Sequence, residues 1–87
     1  MNIKVLGPGC AKCQSLEKIV REVVEALRLD IKVEEVRDMK EIMKYPILMT
    51  PGLVINGKVV LSGKVPTKAE VERLIMNALA AEDEGKS

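Results

Sequence analysis

Gly7-Pro8-Gly9-Cys10-Ala11-Lys12-Cys13 is the stretch that decides how this chain is read. Before it, Ile3 to Leu6 is a short apolar run that reads as a strand. Gly7, Pro8 and Gly9 end that run, since glycine and proline are the strongest local breaks in regular structure. After it, Leu16, Ile19, Val20, Val23, Val24 and Leu27 recur at helical spacing along one side. Glu17–Arg21, Lys18–Glu22 and Arg21–Glu25 lie four apart on the other side, where they pair weakly in water. The two cysteines therefore fall where a strand ends and a helix begins.

That position carries chemistry. The first turn of a helix presents unpaired backbone N–H groups and the positive end of the helix dipole. Both favour a thiolate over a thiol, and helix-start Cys-x-x-Cys thiols drop from ~8.5 to ~3.5–7.5 in pKa. Lys12 adds a nearby cation. Cys13, about one turn further on, can bring its sulfur close to that of Cys10. Cys10 is read as the exposed attacking thiol and Cys13 as the more buried resolving thiol. Two other readings use the same pair. The cysteines can simply fill a helix start as small buried hydrophobes. They can also bind a metal, although a closed zinc site takes four ligands and this chain offers two Cys and no His. A metal would therefore need carboxylates, a second subunit, or a soft ion such as Cu(I) that accepts two thiolates.

The remaining chain alternates strand and helix signals. Ile31 to Val36 reads as a strand after a turn at Asp30. Asp38 is positioned to cap a short helix through about Lys44, which Pro46 prevents from continuing. Thr50-Pro51-Gly52 precedes the apolar run Leu53-Val54-Ile55. Asn56-Gly57 is a strong hairpin signal, because both residues tolerate the positive φ of a tight turn, and Val59-Val60-Leu61 is the return strand. Thr67 and Glu70 have the spacing of a capping box ahead of the stripe Val71, Leu74, Ile75, Ala78 and Leu79. The order is β-α-β-α-β-β-α, an α/β fold with a four-stranded mixed sheet flanked by helices. Residues 1–80 form one domain in this reading, and residues 81–87 a polar, frayed C-terminal tail.

Composition narrows the function. The 87 residues are 47% hydrophobic and 31% charged, with net charge +1, which suits a folded domain with an aliphatic core. Tyr45 is the only aromatic residue and the charges are interspersed, so neither a basic patch nor a stacking platform for nucleic acid is present. No apolar run approaches a membrane span, and Met1 to Leu6 is too short and charged for a signal h-region. The expected compartment is the cytoplasm, where structural disulfides are rare and Cys-x-x-Cys points to redox or metal chemistry. Hydrolase chemistry lacks an obvious base. Met39, Met43 and Met49 read as core packing or a partly exposed helix face rather than a soft-metal cluster. Lys58 and Lys64 read as solvated hairpin charges, and Tyr45 as packing beside Pro46.

With Cys-x-x-Cys after the first strand, Thr50-Pro51-Gly52 before a hairpin and Asn56-Gly57 within it, the sequence resembles the thioredoxin superfamily. The match in size is to small glutaredoxin-like redox-active disulfide proteins of archaea and bacteria, over roughly Met1 to Leu79. The resemblance implies a minimal thioredoxin fold and thiol–disulfide oxidoreductase activity, with the Cys10–Cys13 disulfide as the redox group and no other cofactor. It implies a cis bond before Pro51, with Pro51 beside the cysteines and Thr50, Gly9, Pro8 and Lys12 supporting the site. Its implied partners are disulfide-bearing proteins or small thiols and an upstream reductase. The stretch Ser62-Gly63-Lys64-Val65-Pro66 lacks the Gly-Gly and Asp of a glutathione site, which points to a donor of thioredoxin-reductase type. No aromatic residue stands beside Cys10, and no acidic residue matches the buried proton-transfer Asp of larger relatives. A monomer is expected. The competing readings are a metal chaperone resembling the heavy-metal-associated domain, and a low-turnover regulatory domain. The first is disfavoured by Pro8 two residues before Cys10 and by the helix inserted after the second strand.

Overall fold

The computed structural model describes residues 1–47 and 49–86, with side chains through residue 81. Its elements are β1 (Asn2–Leu6), α1 (Ala11–Ala26), β2 (Lys32–Val36), α2 (Met39–Ile42), β3 (Gly52–Ile55), β4 (Lys58–Ser62) and α3 (Lys68–Lys86). One four-stranded sheet has the order β2-β1-β3-β4. β1 runs parallel to β2, with Ile3 opposite Val33, and antiparallel to β3, with Ile3 opposite Ile55. β3 and β4 form the antiparallel hairpin.

Successive side chains of a strand point to opposite faces, so a sheet covered on both sides needs two cores. Ile3, Val5, Val33, Leu53 and Ile55 face a cluster with Leu16, Val20 and Val23 of α1 and Val71 and Ile75 of α3. Leu6 and Val54 face the other way, onto Ile42 of α2, with Val36, Tyr45, Ile47 and Val59 around them. Tyr45 accepts a hydrogen bond from Lys4 Nζ at 3.4 Å on this second face. Arg21 ties α1 to the sheet, donating through Nη2 to Val33 O at 3.2 Å.

Local signals explain most boundaries. Asp38 caps α2 by accepting from Lys40 N at 2.9 Å, and Thr67 Oγ1 accepts from Glu70 N at 3.2 Å. Asn56 (φ 53°) and Gly57 (φ 81°) take the positive φ values of a tight hairpin turn. Helix α1 ends without glycine. Arg28 takes φ 53° there, Arg28 N bonds Glu25 O at 3.0 Å, and Leu29 N bonds Val24 O at 3.1 Å. This is a Schellman ending in which Leu29 also packs back onto the main core. The β3–β4 register shifts between Leu53 and Val54, which pair with Leu61 and Val59, so Val60 forms a bulge. The backbone of α3 continues past Ala80, where the sequence reading starts the polar tail, to Lys86. Ala80, Ala81, Glu82 and Glu84 are all good helix formers. Ser87, the end of that tail, and Leu48 lie outside the described residues.

Lys68 at the start of α3 pairs with Glu22 of α1 at 2.9 Å. The hydrogen bond from Lys68, aided by its charge, lowers the Glu22 pKa from its ordinary 4.5. A lowered folded-state pKa gives stability that is complete above the ordinary value and is lost as pH falls through the lowered one. The stability gap between the parent and Lys68→Met is therefore expected to be complete at neutral pH and to narrow as pH falls below 4.5 through the lowered value, read from denaturant midpoints. Ile75, fully buried between α3 and the sheet, gives the larger effect. Ile75→Ala is expected to cost about 2–5 kcal/mol in the same unfolding measurement.

Candidate active site

The site is assembled where β1 runs out. Gly7 N donates to Val36 O at 2.9 Å, which extends the β1–β2 pairing one residue beyond the strand. Gly9 then turns the chain with φ 95°, a conformation natural to glycine. Cys10 follows in extended conformation as the N-cap of α1. Its Sγ accepts from Cys13 N at 3.3 Å, and its carbonyl accepts from Gln14 N at 3.0 Å. Gln14 Nε2 donates back to Gly9 O at 3.2 Å, holding the loop against the helix. Cys10 is thus a sulfur cap, using one of the N–H groups that every helix start leaves unpaired.

Cys10 and Cys13 are disulfide-bonded, with Cα atoms 5.1 Å apart. Their surroundings differ. Cys10 is exposed, whereas Cys13 is 5% exposed and belongs to the core. Gly7 provides the room for this burial, since a Cβ on Gly7 would overlap Cys13 Sγ. The same point lies 3.9 Å from Pro51 Cα, which puts Pro51 beside the sulfur's seat. Pro51 is buried, and the Thr50–Pro51 peptide bond is cis. Pro51 O accepts from Gly63 N at 2.8 Å, which joins this loop to the end of β4. Thr50 is half-buried beside it, and Pro8 and Lys12 are exposed around Cys10.

Two features escape a reading of the sequence. Gly7 is visible there as a strand breaker, but nothing in the pattern shows that its missing side chain houses a sulfur. Behind Cys13 lies a cavity of about 10 Å³ reached by Glu17, Glu35 and Arg37 as well as Gly7 and Gly9. Glu17 pairs with Arg21 at 3.0 Å, and Glu35 pairs with Arg37. Glu17 follows Cys13 by four residues on α1, a spacing that places both on one helix face. Glu35 and Arg37 arrive from β2 and the turn after it, which only the parallel pairing reveals. Tyr45 lies on the α2 face against the second core. Met39, Met43 and Met49 are exposed, at 53%, 77% and 64%.

An exposed sulfur, bonded to a buried one at a helix start and flanked by a cis-proline loop, is an arrangement suited to disulfide exchange. Residues 1–76 match the thioredoxin domain family. The chain belongs to the thioredoxin family. It is 36% identical to a thioredoxin of Methanothermobacter thermautotrophicus over 75 residues, covering 86% of this chain and 97% of that one. A thioredoxin of Methanocaldococcus jannaschii is 32% identical over 77 residues, 88% of each chain. A probable thioredoxin of Archaeoglobus fulgidus is 34% identical over 84 residues, covering 93% of this chain and 91% of that one. The thioredoxin fold and the paired cysteines make this protein a thiol–disulfide oxidoreductase. Disulfide substrates and a reducing partner come with that family. No described helix is long and apolar enough to cross a membrane.

The seat at Gly7 gives a direct test. Gly7→Ala places a methyl group where Cys13 Sγ lies, so the disulfide is expected to be reduced more easily than in the parent. Thiol trapping across a graded dithiol/disulfide buffer reads the shift, and an unchanged midpoint would show that the seat does not constrain the bond.

Proposed function

We propose that this thioredoxin-family protein works as a disulfide reductase in which Cys10 attacks and Cys13 resolves. The observation that carries the assignment is the contrast in exposure, Cys10 open to solvent and Cys13 buried beside Gly7 and Pro51. Only the exposed sulfur can reach a substrate disulfide. As a thiolate, Cys10 forms one S–S bond to the substrate and displaces the substrate's other sulfur as a thiolate. Cys13, deprotonated in turn, attacks Cys10, releases the second substrate thiolate and regenerates the Cys10–Cys13 disulfide. Two electrons leave the protein dithiol and enter the substrate. The backbone N–H groups at the start of α1 favour the Cys10 thiolate, and Lys12 adds a solvated cation beside it.

Pro8 and Gly9 shape the turn that presents Cys10, while Pro51 and Thr50 form the wall against which a substrate segment lies. The redox group is the cysteine pair itself, without an added cofactor. We assign the upstream electron donor to the thioredoxin-reductase type, because Ser62–Pro66 lacks the residues of a glutathione site. The protein then acts as a cytoplasmic monomer, without nucleic acid or membrane, through residues 1–80, with residues 81–87 as an extension outside the working domain.

Cys10→Ser is expected to abolish reduction of a model disulfide, and Cys13→Ser to accumulate the mixed disulfide at Cys10, seen as an added mass. Retained turnover in Cys10→Ser would overturn the roles. The midpoint of the Cys10–Cys13 couple sets the direction, with values near ~−270 mV fitting reduction and values near ~−120 mV fitting oxidation.

A further inference from the structure

The sequence reads Met39, Met43 and Met49 as packing, but all three are more than half exposed and they surround one groove. Met43 N donates to Met39 O at 2.9 Å, one full helical turn, so these two side chains leave α2 on the same face. Met49 comes from the segment that leads to the cis-proline. The three methionines, with Ile42, Ile47 and Thr50, line an open space of about 340 Å³. Ile42 is buried in the second core and gives that space a fixed floor. Gly63 lies against Met49, with the point a Cβ would occupy 3.2 Å from Met49 Cβ and 3.5 Å from its Sδ. The chemistry of the lining is selective. Apart from the Thr50 hydroxyl, its side chains offer no oxygen or nitrogen to a metal, and its donors are three thioether sulfurs. Among the described residues no three His, Cys, Asp or Glu side chains come together as a competing metal site.

We propose that Met39, Met43 and Met49 form a binding site for a soft monovalent cation of the Cu(I) and Ag(I) class, held by three thioether sulfurs. The site is independent of the exchange roles of Cys10 and Cys13. Thioethers select soft ions, whereas magnesium and calcium take oxygen ligands. The methionine side chain has three rotatable bonds and a polarisable sulfur. Three such arms rooted around one rigid floor can turn their sulfurs onto a single ion. Each sulfur donates a lone pair, no electron is transferred and no proton is released. Binding through thiolate or imidazole differs, because those ligands must first lose a proton. Asp38, Lys40, Glu41 and Lys44 are the charged groups of α2 and its ends, and Lys64 follows Gly63. Lys44 pairs with Glu41 at 3.1 Å and Lys64 with Glu70 at 3.8 Å. Carboxylates and lysines keep their charges between about pH 5.5 and about pH 8. Affinity at the three sulfurs is therefore flat across that range.

The test uses the full chain in its oxidised form, so that Cys10 and Cys13 are held in their disulfide and offer no thiolate. Its methionine methyl groups carry carbon-13, and Ag(I) is added as the nitrate in chloride-free buffer. The methyl signals of Met39, Met43 and Met49 are expected to shift together and to saturate at one ion per chain. Those of Met1 and Met76 are expected to stay. Met76 is the matched control, since at 50% it is as exposed as Met39 at 53% but stands on α3, outside the groove. Met43→Leu and Met49→Leu keep an apolar side chain at exposed positions and remove one sulfur each. Each is expected to weaken Ag(I) binding at least about tenfold, the loss that even an outer partner of a metal ligand causes. Met76→Leu is expected to leave it unchanged. The parent's affinity is expected to be equal at about pH 5.5 and about pH 8. Met76 shifting at the same Ag(I) concentration as the other three, or full affinity retained in both groove variants, would overturn the site. Affinity that rises with pH would assign the ion to ionisable ligands and overturn it as well.

Discussion

Everything at the redox end depends on the demands placed on β1. It is paired on both edges, with β2 on one side and β3 on the other, and it sends side chains into both cores. A strand held in this way has little freedom to move along its axis, because a slip of one residue would exchange its two faces. Its last pairing bond, from Gly7 N to Val36 O, therefore fixes the point from which the cysteine loop departs. Gly7 then serves a second purpose, since the same residue leaves the space that Cys13 Sγ fills. Strand register and sulfur position become one constraint. The redox pair is located by the most immobile part of the sheet, although Cys10 itself lies on an exposed loop and helix cap.

Much of this plan can be read from the residues, and the limits are physical. Punctuation is local, so Gly7-Pro8-Gly9, Asp38, Asn56-Gly57 and Thr67 mark ends of elements that the structure places within a residue or two. The end of α1 is less visible, because Arg28 takes a left-handed conformation usually given to glycine and only the tertiary packing of Leu29 secures it. The bulge at Val60 leaves no trace in Val59-Val60-Leu61, three similar residues without alternation. At the site, the cysteine spacing and its place before a helix are sequence properties. The neighbours of Cys13 are not, since Glu35 and Arg37 reach it only through β1–β2 pairing and Pro51 only through β1–β3 pairing. Methionine exposure is equally illegible, because the side chain suits a core and a surface alike.

The two cores also divide the labour. The larger cluster, between the sheet and α1 and α3, holds most of the fully buried side chains and supports the helix that carries the cysteines. The smaller one, under α2, anchors the segment that leads through Ile47 and Met49 to Pro51. Catalytic geometry and the surface beside it thus rest on separate packing units that share β1 and β3. Substitutions on the α2 face can vary what lies against the site while the Cys10–Cys13 frame keeps its support.

The sheet has two open margins, β2 and β4. An unpaired margin invites another strand and is the usual starting point for aggregation. Here β2 reads Lys32-Val33-Glu34-Glu35-Val36, with three charges in five residues, and β4 opens on Lys58 and is interrupted by its bulge at Val60. Charge guards one margin and irregular pairing the other. A chain this small, with nearly half its residues apolar, can therefore keep its sheet at four strands while holding a reactive sulfur in the open.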